Sequence, residues 1–268
     1  MTSPITASTA TPFTGATALP VGVPAEAVYA GDIARGSPTA RVRLAQEWLT
    51  LAGVKTSVDG DYGGATAAAV QLFQQRGGLP ATGVVDHATF DALVAPLVAA
   101  LQPIAAPPGA TLGTMTVAYA RQHLAQHPRE VGGENMGPWV RLYMDGGQGA
   151  DQLWCAGFAT FCQRQAAKTL GVQLPVARTF SCDELAAHAK HAACFVAGCP
   201  DFRAVTPGSL FLVRKTDDDW QHVGIVTSAE REAFHTIEGN TNDEGSREGF
   251  EVCERVRGYD KKDFVIVA

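Results

Sequence analysis

The stretch DQLWCAGFATFCQ, residues 151–163, starts as a polar turn and continues with the spacing of an amphipathic helix. Phe158, Cys162 and Ala166 fall on one apolar stripe and Gly171 ends the pattern, which predicts a helix with one face in a core. Cys155 lies in the first turn, where unpaired N–H groups and the helix dipole favour an anion. Because the thiolate is the nucleophilic form of cysteine, Cys155 is a candidate nucleophile.

The segments around this helix predict the fold of residues 114–268. Two more helical segments are TMTVAYARQHLAQ and SCDELAAHAKHAAC, the second opened by a predicted capping box of Ser181 and Glu184. After Pro207 the pattern changes to short runs rich in Val, Ile and Phe that are typical of strands: GSLFLVRK, HVGIVTS, AFHTIEGN, GFEVCERVRGY and DFVIVA. Helices followed by consecutive strands predict an α+β domain with an antiparallel sheet.

A cysteine nucleophile needs a base, and the strands supply a candidate. If AER, residues 229–231, is a hairpin turn, the two strands pair symmetrically about its centre and His222 faces Glu238. A slip of one residue would turn these side chains to opposite faces. Cys155, His222 and Glu238 thus form a predicted thiol–imidazole–carboxylate set.

Asn240 projects from the same strand face as Glu238 and is a second candidate for the group that orients His222. His235 has an odd offset from Glu238, so we expect an ordinary half-buried histidine on the other face. Gln148 and Gln152 lie upstream of Cys155, and either could donate to an oxyanion together with the Cys155 backbone N–H.

The first half of the chain has a different pattern. Its three helical segments are ARVRLAQEWLTLAG, GATAAAVQLFQQRGG and ATFDALVAPLVAAL. They predict a small all-α three-helix domain at residues 29–100, after a flexible tail at 1–28 and before a Pro- and Ala-rich linker at 101–113. Two turns, DGDYGGAT and TGVVDHAT, align Gly60 with Gly83 and Thr66 with Thr89, either as a weak internal repeat or by chance.

Composition limits the partners and cofactors. A net charge of −6 argues against a protein that holds nucleic acid by bulk electrostatics. No apolar run is long enough for a membrane span, and the first residues lack the pattern of a signal peptide. We therefore expect a protein made in the cytoplasm without a signal peptide, with no nucleic-acid partner, no membrane span and a monomeric state.

We expect no cofactor and no metal. Asp145 and Asp151 are too few for an oxygen cage around calcium. The cluster of cysteines and histidines downstream matches no common zinc pattern. A disulfide between two of its cysteines and half-buried free thiols are the open alternatives. The cluster comprises Cys182, His188, His191, Cys194 and Cys199.

Two resemblances to known families add to these predictions. Residues 30–98 closely resemble the small three-helix peptidoglycan-binding domain of many cell-wall hydrolases, through DGDYG, the T-x-x-A-V-x-x-F-Q spacing, TGVVD and ATFDAL. The sequence departs from the family pattern at Asp86, where glycine is usual, and at Phe90, where tryptophan is usual. This resemblance implies peptidoglycan as a partner.

WCAGF on a helix, followed by HVGIV and TIEGNT on strands, resembles the cysteine, histidine-dependent amidohydrolase/peptidase (CHAP) domain, which has a papain-like fold. The resemblance covers residues 114–268 and implies Cys155 as nucleophile and His222 as general base and then acid. It also implies Glu238 as the group that orients His222, and Asn240 as an auxiliary polar residue.

Together these features predict a peptidoglycan hydrolase, an amidase or endopeptidase, that acts on the cell wall or in the periplasm. It resembles a phage endolysin released by a holin, or an antibacterial effector injected by a type VI secretion system and matched by a cognate immunity protein. The alternatives are a non-catalytic wall-binding or phage structural protein, and a papain-like protease or transglutaminase that acts on proteins.

Overall fold

A computed structural model describes residues 23–199, 201–242 and 249–267 of the chain. Most of the predicted tail lies outside the described residues. Its last part is ordered, because Ala25–Ala27 form one 3-10 turn and Ala27 is buried. The ordered first unit therefore begins before the predicted boundary at residue 28. The chain divides into two compact units after Val98.

The first unit contains three helices, as predicted. They are α1 (Thr39–Leu51), α2 (Gly64–Arg76) and α3 (His87–Ala100). Their apolar faces meet in a core that includes Trp48, Leu49, Val70, Leu93 and Leu97, all nearly inaccessible to solvent. Burial of these side chains is the main source of stability for such a small unit.

Two buried glutamines give the internal repeat a structural meaning. The Gln46 amide donates to Thr66 Oγ1 at 3.1 Å and its oxygen accepts the Gly60 N–H at 2.8 Å. Gln74 makes the same pair of contacts in the second repeat: its amide donates to Thr89 Oγ1 at 3.0 Å, and its oxygen accepts the Gly83 N–H at 3.0 Å. The glycine and threonine pairs that align in sequence are therefore equivalent in structure, each tied to its own glutamine.

Four helices and a sheet form the second unit. The helices are α4 (Leu112–Leu124), α5 (Pro138–Tyr143), α6 (Cys155–Leu170) and α7 (Cys182–His191). The strands are β1 (Phe195–Val196), β2 (Leu210–Thr216), β3 (Asp219–Ala229), β4 (Ala233–Thr241), β5 (Glu251–Gly258) and β6 (Lys262–Val265). Every pair of neighbouring strands is antiparallel, in the order β1-β6-β2-β3-β4-β5, which confirms the predicted antiparallel sheet.

Helix α5 and strand β1 have no counterpart among the predicted elements, and the predicted linker overlaps α4 by two residues. Helix α4 begins at Leu112, inside the predicted linker, and Gln122 on this helix donates to the Ala100 and Gln102 carbonyls. The first residues of the predicted linker are therefore held against α4. No helix in the described part of the chain is long and apolar enough to cross a membrane.

The hairpin of β3 and β4 has a different register from the predicted one. Next to the turn Ala229 pairs with Phe234, and beyond an irregularity between Val226 and Ser228 the pairs are Val226 with Thr236 and Ile225 with Ile237. The later turn and this irregularity together set the register. The register moves Glu238 by two residues, from His222 to Gly224. A shift of two residues keeps the side chain on the same face of the sheet, so Glu238 stays within reach of His222.

Candidate active site

Cys155 is the first residue of α6, and its side chain is buried against the sheet. Helix α6 packs on β3 and β4, and its N-terminus is fixed by the residue before it. The Trp154 ring is fully buried, stacks on Tyr143 and donates its indole N–H to a Glu130 carboxylate oxygen at 2.9 Å. These contacts leave Trp154 as a packing residue that sets the position of Cys155.

His222 on β3 and Glu238 on β4 form a buried pair. His222 Nε2 lies 2.8 Å from Glu238 Oε2, with both side chains almost inaccessible to solvent. The other ring nitrogen, Nδ1, is buried and has no hydrogen-bond partner among the described atoms. Glu238 therefore holds the ring by one nitrogen and leaves the other available for the thiol of Cys155.

Arg257 on β5 is the second partner of Glu238. Its Nε donates to Glu238 Oε1 at 2.8 Å and its terminal nitrogen to Oε2 at 2.6 Å, the bidentate geometry that guanidinium and carboxylate groups favour. The Thr236 hydroxyl donates to Oε1 at 2.6 Å. With His222 this gives the buried carboxylate four hydrogen bonds, which satisfy both of its oxygens.

The interactions change the pKa of each group in the site. Burial opposes the charge on Glu238, but hydrogen bonds and charge from Arg257 and His222 lower the pKa of Glu238 to about 2. Burial also opposes a charged His222, but interactions with Cys155 and Glu238 raise the pKa of His222 to about 9. Both groups are therefore ionised near neutral pH, as a carboxylate and an imidazolium.

The pKa of Cys155 is held well below its usual value. The neighbouring thiol of Cys182 contributes most, burial opposes it, and His222 and the backbone N–H of Val223 add to the effect. The same contact raises the pKa of Cys182, whose thiol keeps its proton. The site thus favours a thiolate at Cys155 beside an imidazolium at His222.

Cys182 is the first residue of α7, and its sulfur lies 3.9 Å from the sulfur of Cys155. The first residues of α6 and α7 therefore supply the two neighbouring thiols. None of the six cysteines, which all lie in the described residues, is in a disulfide. Of the alternatives that the sequence left open for Cys182, Cys194 and Cys199, the structure therefore has free thiols.

Asn240 takes a different place from the one that the hairpin suggested. Its φ of 52° is left-handed, a conformation that asparagine tolerates. In the amide orientation that satisfies its neighbours, its oxygen accepts the Trp154 backbone N–H at 3.0 Å and its nitrogen donates to the Gly249 carbonyl at 2.6 Å. Asn240 thus fastens the start of α6 to β4, and the group that holds His222 is Glu238.

Two other candidate residues, His235 and Gln148, have contacts outside the triad. His235 is exposed on the other face of the hairpin, with its side chain 48% accessible, and not half-buried as expected. The Gln148 side-chain oxygen accepts from Arg141 at 2.7 Å and from the Gly137 N–H at 3.1 Å, which holds it in its own loop. Tyr143 is fully buried and belongs to the core.

Sequence reasoning missed Arg257, Thr236 and Cys182. Thr236 carries a readable signal, since it lies two residues before Glu238 on the same strand face. Arg257 comes 19 residues after Glu238 on another strand and Cys182 comes 27 residues after Cys155 on another helix, so both needed the tertiary fold.

Residues 38–93 match the family model of the peptidoglycan binding domain. The first unit therefore contains a peptidoglycan-binding domain. The peptidoglycan-binding domain spans all of α1 and α2 and the start of α3, and it includes both buried glutamines and their turns. The CHAP family has no match in the chain. No curated protein and no solved structure matches the chain.

Proposed function

We propose that the chain is a peptidoglycan hydrolase in which a Cys155–His222–Glu238 site cleaves an amide or peptide bond of the wall polymer. One observation carries the proposal: His222 binds the buried Glu238 through Nε2, its Nδ1 makes no hydrogen bond to the described atoms, and the Cys155 thiol interacts with the same ring. This is the arrangement that thiol hydrolases need, a nucleophile next to a base that a third group orients. The peptidoglycan-binding domain on the same chain supports the choice of substrate.

In the first step, the Cys155 thiolate attacks the carbonyl carbon of the scissile amide. The first turn of α6 offers backbone N–H groups to the oxygen that becomes negative. The tetrahedral intermediate collapses, the carbon–nitrogen bond breaks, and the His222 imidazolium gives its proton to the leaving amine. A thioester on Cys155 and a neutral His222 are left.

In the second step, neutral His222 removes a proton from water, and the hydroxide attacks the thioester carbon. The carbon–sulfur bond breaks, the acid product leaves, and the thiolate–imidazolium pair forms again. Glu238 keeps its charge throughout and holds the ring in place. The peptidoglycan-binding domain raises the local concentration of cleavable bonds by keeping the enzyme on an insoluble polymer.

The test is digestion of purified sacculi by the wild-type protein and by Cys155→Ala, with mass spectrometry of the soluble fragments. We expect fragments with the wild type and none with Cys155→Ala, while both proteins pellet with sacculi. The new ends of the fragments distinguish an amidase from an endopeptidase. Sacculi from several wall chemotypes broaden the assay, because the bond that is cleaved depends on the stem peptide.

Two results would refute the proposal. If wild type and Cys155→Ala both pellet with sacculi and neither releases fragments, the chain is a non-catalytic wall-binding protein. If Cys155→Ala releases the same fragments as the wild type, another residue is the nucleophile. An endolysin and an injected effector both fit the proposed chemistry, and protection by a co-expressed immunity protein would favour the effector.

A further inference from the structure

We propose that Cys155 and Cys182 form an oxidation site in which a hydroperoxide converts the two thiols into a reversible disulfide. The inference rests on the role of Cys155 as nucleophile in the proposed function. The observation behind it is the 3.9 Å separation of two buried sulfur atoms on different helices. A disulfide needs these atoms at about 2 Å, a distance that side-chain rotation and a small helix shift would cover.

The contact between the thiols is held by a frame of hydrogen bonds from α6. The Thr160 hydroxyl of α6 shares its proton between the Ala156 carbonyl of its own helix, at 2.7 Å, and the Thr179 carbonyl just before α7, at 3.1 Å. Thr179 then donates its own hydroxyl to Glu184 at 2.6 Å, and Ser181 caps the helix by accepting the Glu184 N–H at 3.3 Å. Glu184 thus binds Thr179 and does not complete the predicted capping box.

The frame is also tied to the strand that carries His222. Asp183, next to Cys182, accepts the Trp220 backbone N–H on β3 at 2.8 Å. Helix α7 is therefore fastened on one side to α6 and on the other side to β3. Cys182 cannot drift away from Cys155 without breaking these contacts, which makes the pair a fixed feature of the site.

The reaction balances with a hydroperoxide as the oxidant. The Cys155 thiolate attacks one peroxide oxygen, the O–O bond breaks, and Cys155 becomes a sulfenic acid. The hydroxide that leaves takes the proton of the His222 imidazolium and becomes water. The Cys182 sulfur then attacks the Cys155 sulfur, the S–S bond forms, the S–O bond breaks, and hydroxide leaves with the Cys182 proton as water. The two thiols lose two electrons in total, and hydrogen peroxide is reduced to two water molecules.

Cys155 is the thiol that starts this reaction and Cys182 the thiol that completes it. Cys155 carries the thiolate, the form that peroxide oxidises. Cys162 is on the same helix but seven residues further along, about 10 Å away along the axis, so it cannot reach Cys155. Disulfide formation blocks the nucleophile, but it also keeps Cys155 from oxidation to an irreversible sulfinic acid.

The experiment treats the reduced full-length protein with hydrogen peroxide, alkylates the remaining thiols and maps the peptides by mass spectrometry. We expect the wild type to lose two hydrogen atoms in mass, with the Cys155 peptide joined to the Cys182 peptide, and dithiothreitol to restore the thiols completely. In Cys182→Ser, Cys155 should go on to sulfinic acid, with no recovery in dithiothreitol. The matched control, Cys199→Ser, should behave like the wild type.

The inference is wrong if oxidised wild type carries a sulfinic acid at Cys155, or a disulfide to another cysteine, in place of the Cys155–Cys182 bond. The peptide map of the wild type alone decides this, even if Cys182→Ser does not fold. No sacculi are needed for these measurements. Failure of the oxidation site is therefore distinguishable from failure of the proposed hydrolase.

Discussion

Glu238 has the most demanding position of any residue in the site. It is fully buried and charged, and two cationic groups and a hydroxyl bind it at once. A buried carboxylate without such partners would take up a proton or destabilise the fold. The ionised state of Glu238 in the candidate triad therefore depends on Arg257 as well as on His222 and Thr236.

Replacement of Arg257 tests that dependence. Arg257→Ala leaves Glu238 with His222 and Thr236 alone, so we expect the free energy of unfolding to fall by about 3 kcal/mol, the usual result of breaking a buried pair. We expect the rate of sacculus digestion to fall about tenfold or more, because a less stable carboxylate holds His222 less firmly. Urea denaturation and fragment release measure the two effects.

Arg231→Ala is the matched control for Arg257→Ala. Arg231 is exposed in the hairpin turn, so its replacement should leave both quantities unchanged. Equal stability of Arg257→Ala and the wild type would mean that the carboxylate does not need the arginine.

The pH dependence of the site follows from its pKa values. The thiolate–imidazolium pair exists above the lowered pKa of Cys155 and below the pKa of His222, about 9. We expect kcat/KM for sacculi to fall as pH rises through about 9, since His222 then has no proton for the leaving amine. Stability from the raised pKa of His222 is complete below its unfolded value near 6.5 and is lost in the same rise through about 9.

Glu238→Gln provides the comparison for this profile. Glutamine keeps the shape of Glu238 but not its charge, so the alkaline limb should move to lower pH. The rate of Cys155 alkylation by iodoacetamide, followed across the same pH range, reports the thiolate directly. An alkaline limb that stays in place in Glu238→Gln would show that the carboxylate charge does not support the imidazolium.

At the scale of elements, β3 can approach β4 closely only because residue 224 is a glycine. A Cβ atom there would lie 2.6 Å from Glu238 Cγ and 2.7 Å from Phe211 Cε1. Gly224→Ala must therefore displace the carboxylate or the ring, and we expect a loss of about 1–3 kcal/mol in the free energy of unfolding together with lower activity. Chemical denaturation and sacculus digestion measure both.

Gly258→Ala is a suitable control for Gly224→Ala. Gly258 ends β5, and a Cβ atom at this position would meet nothing within 4 Å. We expect it to leave stability and digestion unchanged. If the two alanine variants were equally stable, the close approach at Gly224 would not determine the position of Glu238.

The sequence predicts most elements of the fold, and the reasons for the failures are physical. Periodic helices such as α6 and alternating strands such as β5 are visible because each buries one face. Helix α5 has six residues and β1 two, too short for any period to emerge. The predicted register is wrong because the turn lies later than AER and the ladder is irregular between Val226 and Ser228. The side chains of His222 and Glu238 are nevertheless in contact, since strand faces repeat every two residues.

At the scale of the whole molecule, the two units have separate cores and should respond separately to mutation. Gln46→Ala with Gln74→Ala removes both buried amides of the peptidoglycan-binding domain and leaves the turn N–H groups of Gly60 and Gly83 without partners. Each unsatisfied buried group costs about 1–3 kcal/mol. We expect weaker pelleting with sacculi and an unchanged rate of Cys155 alkylation.

Gln75→Ala is the control for the double variant, since Gln75 is exposed on the same helix as Gln74. Calorimetry of the full chain should show a shift in one transition only. A parallel loss of Cys155 reactivity in the double variant would mean that the second unit depends on the first for its stability.

The position of Arg257 has a consequence for the charge balance of the proposed reaction. Before attack, the site contains two anions, Cys155 and Glu238, and two cations, His222 and Arg257, so its formal charges cancel. In the thioester, Cys155 and His222 are both neutral, and the charges of Glu238 and Arg257 still cancel each other. The low-dielectric interior thus never contains an uncompensated charge at either stage. Without the guanidinium, the Glu238 carboxylate would be buried without a counter-charge at the thioester stage of every catalytic cycle.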